Sequence, residues 1–375
     1  MPSRAVAAVN LAAIERNCAR LRAALAPGAR LAAVVKADGY GHGAAPSARA
    51  ALAGGAEVLC VAAAQEAADL RAVGLDAPIL VMGVMSASET AVALDADAEV
   101  VAWREPFVDR LAALAGDRAV RVHVKLDTGM GRLGTRDPDE ARRVAERVAA
   151  TPGLELTGAM THFATADERG DDFFDVQLDR FTTFADALRA DHPGLVAHAA
   201  NSAATLREPA AHFDLVRCGV AIYGLDPFHR DPAGRELEPA LELRSYVGDL
   251  KPCAAGESAG YGRRFVAERD TVLGVLPIGY GDGWRRGLTN DADALVAGER
   301  RPLVGTVSMD NVTVDLGPRP AAAVGDEAVL IGTRGSERIL AEEVARRLGT
   351  INYEITTGLL PRVTREYHRD GEAVA

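Results

Sequence analysis

Between about residue 30 and residue 220 the chain alternates short apolar runs with amphipathic stretches. The runs cover residues 31–36, 57–61, 78–82, 99–103, 119–126, 154–160, 195–200 and 213–218. Their near-continuous apolar character predicts strands buried on both faces, as strands of a parallel sheet are. Between most of them, apolar positions at helical spacing predict helices, over 64–73, 105–115, 138–150 and 173–190. Eight strands alternating with helices predict a (β/α)8 barrel. A doubly wound sheet is the rival, and spacing alone leaves both open. Ahead of the first run, Leu11, Ile14, Cys18, Leu21 and Leu25 recur at helical spacing behind Asn10. That pattern predicts a short strand followed by a helix capped by Asn10.

Beyond about residue 235 the pattern changes. Val-rich runs over 243–250, 271–278, 303–308, 312–316 and 328–331 are separated by Gly, Pro, Asn and Asp, with one helical segment over 341–348. A smaller, mainly antiparallel β domain is expected there. The linker is placed at 226–239, which holds Pro227, Pro232 and Pro239. The fold class is therefore α/β, with a barrel over residues 10–235 and a C-terminal β domain over 236–375.

Composition narrows the functional classes. The 375 residues are 48% hydrophobic, with a formal net charge of −11 and no basic block, which argues against nucleic acid or an anionic membrane surface as partner. No apolar run approaches the ~18 residues of a membrane span. Residues 5–13 could pass for a short signal segment, but Asn10 interrupts them, so a cytoplasmic protein is expected. Cys18, Cys60, Cys218 and Cys253 are scattered without metal-ligand spacing, which predicts unpaired thiols and no metal site. One count stands apart. Of 42 basic residues, 39 are Arg and only Lys36, Lys125 and Lys251 are Lys. A drift toward Arg spares lysines where chemistry demands a primary amine.

Two of those lysines fall where a barrel does its chemistry, at the C-terminal ends of strands. Lys36 ends the first run and Lys125 lies in the fifth; His162 follows the sixth, Asn201-Ser202 the seventh, and Arg217 with Gly219 the eighth. A lysine behind an apolar strand suits a Schiff base, because desolvation lowers its pKa and frees the lone pair. Small residues at Ser202 and Gly219-Val220 suit a phosphate cradle. An aldehyde that carries a phosphate points to pyridoxal 5′-phosphate. Gly129-x-Gly131-x-x-Gly134 has the spacing of a dinucleotide fingerprint, but it follows the fifth strand, and Asp137-Pro138 start a helix only after its last glycine. A tight loop presenting Arg132 is the expected reading.

The motifs, in order, resemble those of the alanine racemase family over nearly the whole chain. They are Val34-Val-Lys-Ala-Asp-Gly-Tyr-Gly-His-Gly43, Lys125-Leu-Asp-Thr-Gly-Met-Gly-Arg132, Met160-Thr-His162, Asn201-Ser202, Arg217-Cys-Gly219-Val-Ala-Ile-Tyr223, Gly260-Tyr261-Gly262, Ile278-Gly-Tyr280-Gly-Asp-Gly283, Met309-Asp310 and Asn352-Tyr353-Glu354. Departures are few: Gly260 stands where many members have Ser, and Thr364 where Pro is common.

The resemblance implies a homodimer with active sites shared between subunits, interconverting L- and D-alanine on pyridoxal 5′-phosphate and supplying D-alanine for cell-wall synthesis. It also implies that residues 1–9 join the C-terminal domain. Lys36 is then the cofactor lysine and the base on the D face, and Tyr261 of the partner subunit is the base on the L face. A tyrosine ordinarily ionises near pH ~10, so such a base needs cations close by, and His162 and Arg217 are implied in that task. Arg217 is expected to face the pyridine nitrogen, where it cannot accept the ring's proton. Tyr40, Ser202, Gly219, Val220 and Tyr353 resemble the phosphate ligands; Arg132 and the Met309 backbone N–H resemble the group that holds the substrate carboxylate. Asp310 supports them, and Tyr280 resembles a gate at the substrate entrance. Lys125 matches a position often carbamylated in the family; a plain ammonium paired with Asp127 is the alternative. The rivals to this reading are a serine or broad-specificity racemase, a barrel decarboxylase, and a non-enzymatic cofactor-binding protein.

Overall fold

The computed structural model describes residues 4–168 and 170–374. They form two compact units. One comprises Ile14–Tyr40 and Ala44–Ile222; the other comprises the stretch ending at Ala13, Gly41–Gly43 and the chain from Tyr223 onward. The first strand, β1 (Val6–Asn10), belongs to the second unit.

The first unit is built on eight parallel strands: β2 (Arg30–Val34), β3 (Val58–Val61), β4 (Ile79–Val81), β5 (Glu99–Ala102), β6 (Val120–Lys125), β7 (Leu154–Met160), β8 (Val196–His198) and β9 (Leu215–Cys218). They pair in the order β8-β7-β6-β5-β4-β3-β2-β9. The ends of that order are joined by backbone hydrogen bonds from Asp214 N to Ala197 O (3.1 Å) and from Arg217 N to Ala200 O (2.9 Å). The sheet is thus nearly closed into a barrel, and the doubly wound alternative falls. Consecutive residues such as Ile79, Leu80 and Val81 are all buried. Burial on both faces is what turns an apolar run into a parallel strand covered by helices.

The helices follow local rules. Pro138–Ala150 starts at Asp137, whose carboxylate accepts from Asp139 N (2.9 Å), and Pro138 takes the first helical position, where no N–H is needed. It buries Ala141, Val144, Ala145 and Val148, one stripe of a 3.6-residue period. Asn10 Oδ1 accepts from Ala12 N (3.1 Å), as an N-cap should. All four cysteines are free and buried.

The second unit is mainly antiparallel. Its strands are β10 (Leu241–Tyr246), β11 (Asp249–Cys253), β12 (Ser258–Ala259), β13 (Phe265–Val266), β14 (Thr271–Leu276), β15 (Asp293–Val296), β16 (Glu299–Pro302), β17 (Val312–Asp315), β18 (Glu327–Arg334), β19 (Glu337–Ile339), β20 (Thr364–Arg369) and β21 (Glu372–Ala373). The largest sheet runs β16-β15-β18-β10-β1-β20-β21, and β11-β14-β17 form a second. In β10 every second residue is buried, the mark of a strand covered on one face. β1 is antiparallel to β10 and parallel to β20. Thr364 N donates to Ala5 O (3.2 Å), a bond that proline at this position could not make.

One expected strand is absent. Residues 303–308 carry strand-like residues, but their donors go to separate places: Leu303 N to Ala292 O, Val304 N to Thr313 O, Val307 N to Thr289 Oγ1 and Ser308 N to Asn311 O. Gly305, at φ +77°, turns the chain in the middle. The segment crosses between neighbours instead of running along one. The β15–β16 hairpin ahead of it was not anticipated, because Arg300 and Arg301 break the apolar pattern while pairing with Glu343 and Glu299.

Leu243 is fully buried in the middle of the large sheet. Leu243→Ala is expected to lower unfolding stability by about 2–5 kcal/mol, read from urea denaturation.

Candidate active site

Immediately after β2 the chain makes a left-handed turn. Ala37, Asp38 and Tyr40 have φ of 52°, 52° and 53°, with Gly39 at 60° between them. Each non-glycine residue in this region costs about 1–2 kcal/mol, so the turn is held by its surroundings. Glu66 Oε1 accepts from Ala37 N (2.6 Å), and its other oxygen caps the start of its own helix, Ala64–Ala72, through Ala62 N and Ala63 N. Asp38 Oδ1 accepts from Ala44 N (2.9 Å). The turn leaves Lys36 half-buried and brings the Tyr40 hydroxyl against Gly219, where a Cβ would lie 2.3 Å from Tyr40 Oη. Ser202 Oγ accepts from Gly219 N (3.0 Å) and Ala221 N (3.3 Å), joining the ends of β8 and β9 at the same place.

Four cations crowd this end of the unit: Lys36, Lys125, Arg132 and Arg217. Burial first, and then the Arg132 charge, lowers the Lys36 amine, with only Glu66 and Cys60 acting against them. Burial, followed by Arg217 and Arg132, pulls Lys125 down to about 7. Only the nearby Asp127 charge acts to raise the Lys125 amine against these effects. The Asp127 carboxylate is already taken, accepting from Gly129 N (3.1 Å), Gly131 N (3.0 Å) and Arg136 Nε (3.4 Å). Those bonds wrap 129–134 into a tight loop that carries Arg132; no helix starts at its glycines, as the dinucleotide fingerprint would require.

Arg217 is buried, and burial pulls it down to about 10. The two hydrogens of its Nη2 are shared among Thr161 O (2.8 Å), Ala199 O (3.0 Å) and His162 Nδ1 (3.3 Å), and its Nη1 donates to His198 Nδ1 (2.9 Å). Among the described residues no carboxylate touches it. Because a guanidinium only donates, His162 Nδ1 is an acceptor and its proton sits on Nε2.

The barrel unit thus holds Lys36, Tyr40, Lys125, Arg132, His162, Ser202, Arg217, Gly219 and Val220. The second unit holds the others. Tyr261, Tyr280 and Met309 are exposed there, Tyr261 to 73%. Tyr280 N donates to Ser308 O (3.0 Å), Gly281 N to Met309 O (2.8 Å), and Thr306 Oγ1 to Tyr261 O (2.6 Å), so three loops are laced into one rim. Gly260, at φ +74°, suits the bend before Tyr261 better than serine would. Asp310 pairs with Arg362 (2.7 Å), and Asp282, fully buried, pairs with Arg362 and Arg4 (3.2 Å each). Tyr353 lies on the helix Asn352–Thr357.

Known proteins carry the same two-part plan. Residues 9–227 match the model of the alanine racemase N-terminal domain, and residues 240–367 that of the C-terminal domain. The chain belongs to the alanine racemase family. It is 40% identical to the alanine racemase of Geobacillus kaustophilus, over 96% of this chain and 94% of that protein, and 41% identical to that of Symbiobacterium thermophilum, over 96% of each. Among solved structures, the alanine racemase of D-cycloserine-producing Streptomyces lavendulae has a TM-score of 0.93 at 39% identity, covering 98% of both chains. That of Bacillus anthracis with bound L-Ala-P has a TM-score of 0.92 at 36% identity, covering 100% of this chain and 97% of that one.

Alanine racemases depend on pyridoxal 5′-phosphate. The barrel residues fit that group. They offer an amine with a lowered pKa at Lys36, a close-packed cradle at Tyr40, Ser202 and Gly219, and a cluster of cations short of anions.

Several residues of the site escaped the sequence reading. Glu66 was part of a helix start, and His123 and His198 were internal to strands. Gln177 left a visible signal, since it interrupts the stripe of Phe174, Phe181 and Leu188 in the helix Phe173–Asp191. Its side chain is buried, donating to Thr128 Oγ1 (3.0 Å) and His162 O (3.2 Å) and accepting from Ala164 N (2.8 Å), so it anchors the segment that carries His162.

Burial first, and then the Arg217 charge, holds both His162 and His198 well below 6.5. The unfolded chain binds protons that these folded sites refuse. Their contribution to stability is whole above the unfolded value and is lost as pH falls through it. Calorimetric Tm is therefore expected to drop as pH goes from about 7.5 to about 5.5, before carboxylates titrate; a flat Tm across that window would contradict it.

Proposed function

We propose that this chain interconverts L-alanine and D-alanine at the C-terminal end of its barrel, with Lys36 and Tyr261 as bases on opposite faces of the substrate Cα. The observation that carries the proposal is the cluster of Lys36, Lys125, Arg132 and Arg217, in which burial and neighbouring charges lower Lys36, Lys125 and Arg217 with few anions near. Such a site selects a ligand with a phosphate and a carboxylate. When bound, pyridoxal 5′-phosphate supplies an electron-withdrawing ring that acidifies the Cα–H of an attached amino acid.

Each protein residue has a stated part. Tyr40, Ser202, Gly219, Val220 and Tyr353 hold the phosphate. Lys36 Nζ, its pKa lowered, takes or returns the proton on the D face. The tyrosine oxygen on the L face belongs to the partner subunit's Tyr261, in a homodimer whose shared site is supported by the exposed rim of Tyr261, Tyr280 and Met309. One base alone would return the proton to the side it left, so exchange of configuration needs two. His162 Nε2–H is free to donate toward the L-face oxygen, since its Nδ1 is spent on Arg217. Arg132 and the Met309 N–H hold the substrate carboxylate, with Asp310 braced by Arg362 behind them, and Tyr280 narrows the entrance.

Lys125 is proposed to be carbamylated. At about 7, its amine is substantially neutral at physiological pH, the form that attacks carbon dioxide to give a carbamate and release a proton. The resulting anion would lie among cations and orient Arg132.

Lys36→Ala is expected to abolish both racemisation and the visible absorption of the lysine-bound cofactor. Tyr261→Phe is expected to slow proton removal from L-alanine by about 100-fold or more, with a much smaller loss from D-alanine; equal losses would refute the two-base assignment. Racemisation assays across alanine, serine, lysine and arginine should favour alanine. For Lys125, enzyme equilibrated with 13C-bicarbonate should give a carbamate carbon resonance that Lys125→Arg removes; no resonance in the parent protein would end that reading.

A further inference from the structure

Arg217 is buried with no carboxylate in contact among the described residues, yet a carboxylate is connected to it. Its Nη1 donates to His198 Nδ1 (2.9 Å); His198 Nε2 lies 2.8 Å from His123 Nδ1, and His123 Nε2 lies 2.7 Å from Glu99 Oε2. The chain of contacts runs from β9 through β8 and β6 to the first residue of β5. His123 and His198 are both buried, and their rings meet edge to face.

Donor and acceptor rules leave one arrangement of protons. A guanidinium only donates, so His198 Nδ1 must accept, and the His198 proton must sit on Nε2. That N–H points at His123 Nδ1, which must accept in turn. The His123 proton then sits on Nε2 and is donated to the Glu99 carboxylate. Reversing either ring would set two N–H groups against each other in a buried space. The far oxygen of Glu99 forms an ion pair with Arg121 (3.3 Å). Burial pushes its carboxyl up, but the hydrogen bond from His123 and the charges of Arg121 and Arg30 outweigh this and keep it below the ordinary value.

The backbone makes room for this path. β7 lies between β6 and β8, and its Gly158 is paired with His123 on one side and Val196 on the other. A Cβ on Gly158 would lie 2.1 Å from His123 Nδ1. Any side chain here would occupy the space in which the two rings meet.

We infer that Glu99, His123 and His198 are positioning residues, forming a one-way hydrogen-bond relay that holds the Arg217 guanidinium in a single orientation for the cofactor, and that Gly158 is the opening through which the relay crosses β7. The inference rests on the cofactor reading above. The relay supplies Arg217 with a counter-charge at a distance. Placing that charge on Glu99, two imidazoles away, leaves the near side of the guanidinium free of any acid that could take up or hand on a ring proton.

The first test needs no substitution. With 15N-histidine labelling of the holoenzyme, His123 and His198 should each show an unprotonated Nδ1 and a protonated Nε2. A protonated Nδ1 on either ring overturns the relay. The second test uses Glu99→Gln, which removes the charge, and Gly158→Ala, which blocks the ring contact without altering either histidine. Outer partners that fix a ligating histidine are typically worth about ten-fold or more, so kcat and cofactor affinity should each fall by about that factor. KM for alanine should stay within about two-fold, because Arg217 is assigned to the cofactor and not to the substrate. Asp97→Asn, at the exposed partner of Arg121, should leave all three unchanged. Wild-type kcat and cofactor affinity in both variants would overturn the relay. An inactive parent protein would instead sink the racemase reading, while the nitrogen assignments would still decide whether the relay exists.

Discussion

Burying the Arg217 guanidinium is the constraint around which the barrel site is organised. A charge taken out of water must be met by partners, or its cost runs to several kcal/mol. Among the described residues no carboxylate meets this one directly. Carbonyl oxygens of Thr161 and Ala199 and ring nitrogens of His162 and His198 do so instead. Each of those acceptors then has its own geometry imposed: His162 must keep its proton on Nε2, and β8 and β9 must approach closely enough to seam the barrel. The position of the guanidinium and the closure of the sheet are thus parts of one arrangement.

The same charge shapes its neighbours' chemistry. Lys36 and Lys125 are pushed toward their neutral forms by burial and by the surrounding cations, Arg217 among them. Neutral amines are the reactive forms for both jobs assigned here, attachment to an aldehyde and attack on carbon dioxide. An excess of positive charge that would be a liability in an empty core becomes selectivity for an anionic ligand. Loop construction serves this end as well. Asp127, the nearest acid in sequence to Lys125, is spent on the backbone of Gly129 and Gly131, so it organises the Arg132 loop without neutralising the lysine.

The scarcity of lysine points to chemistry at two residues of three. Lys36 and Lys125 both lie in the cationic cluster. Lys251 is exposed on β11 and pairs with Asp249 at 2.8 Å, a surface contact that arginine could make equally well. Scarcity flagged positions; only their surroundings separated the buried amines with lowered pKa from the solvated one.

What the sequence by itself determined is whatever depends on local pattern: the eight apolar runs of the barrel, the Asn10 and Asp137 caps, the alternation in β10, and the ordered motifs that mark Lys36, Arg217 and Tyr261. These are set by neighbours a few residues apart, so a linear reading reaches them. The tertiary structure alone decided which donors pair with which acceptors. Residues 303–308 look like a strand, but their N–H groups find four separate partners. His123 and His198 look like strand interior until Gly158, on the strand between them, lets the rings touch. Glu66 looks like a helix start until its carboxylate also clamps the left-handed turn at Lys36. In each case the deciding contact joins segments far apart in the chain, through space that only the nearly closed barrel or the assembled sheets create.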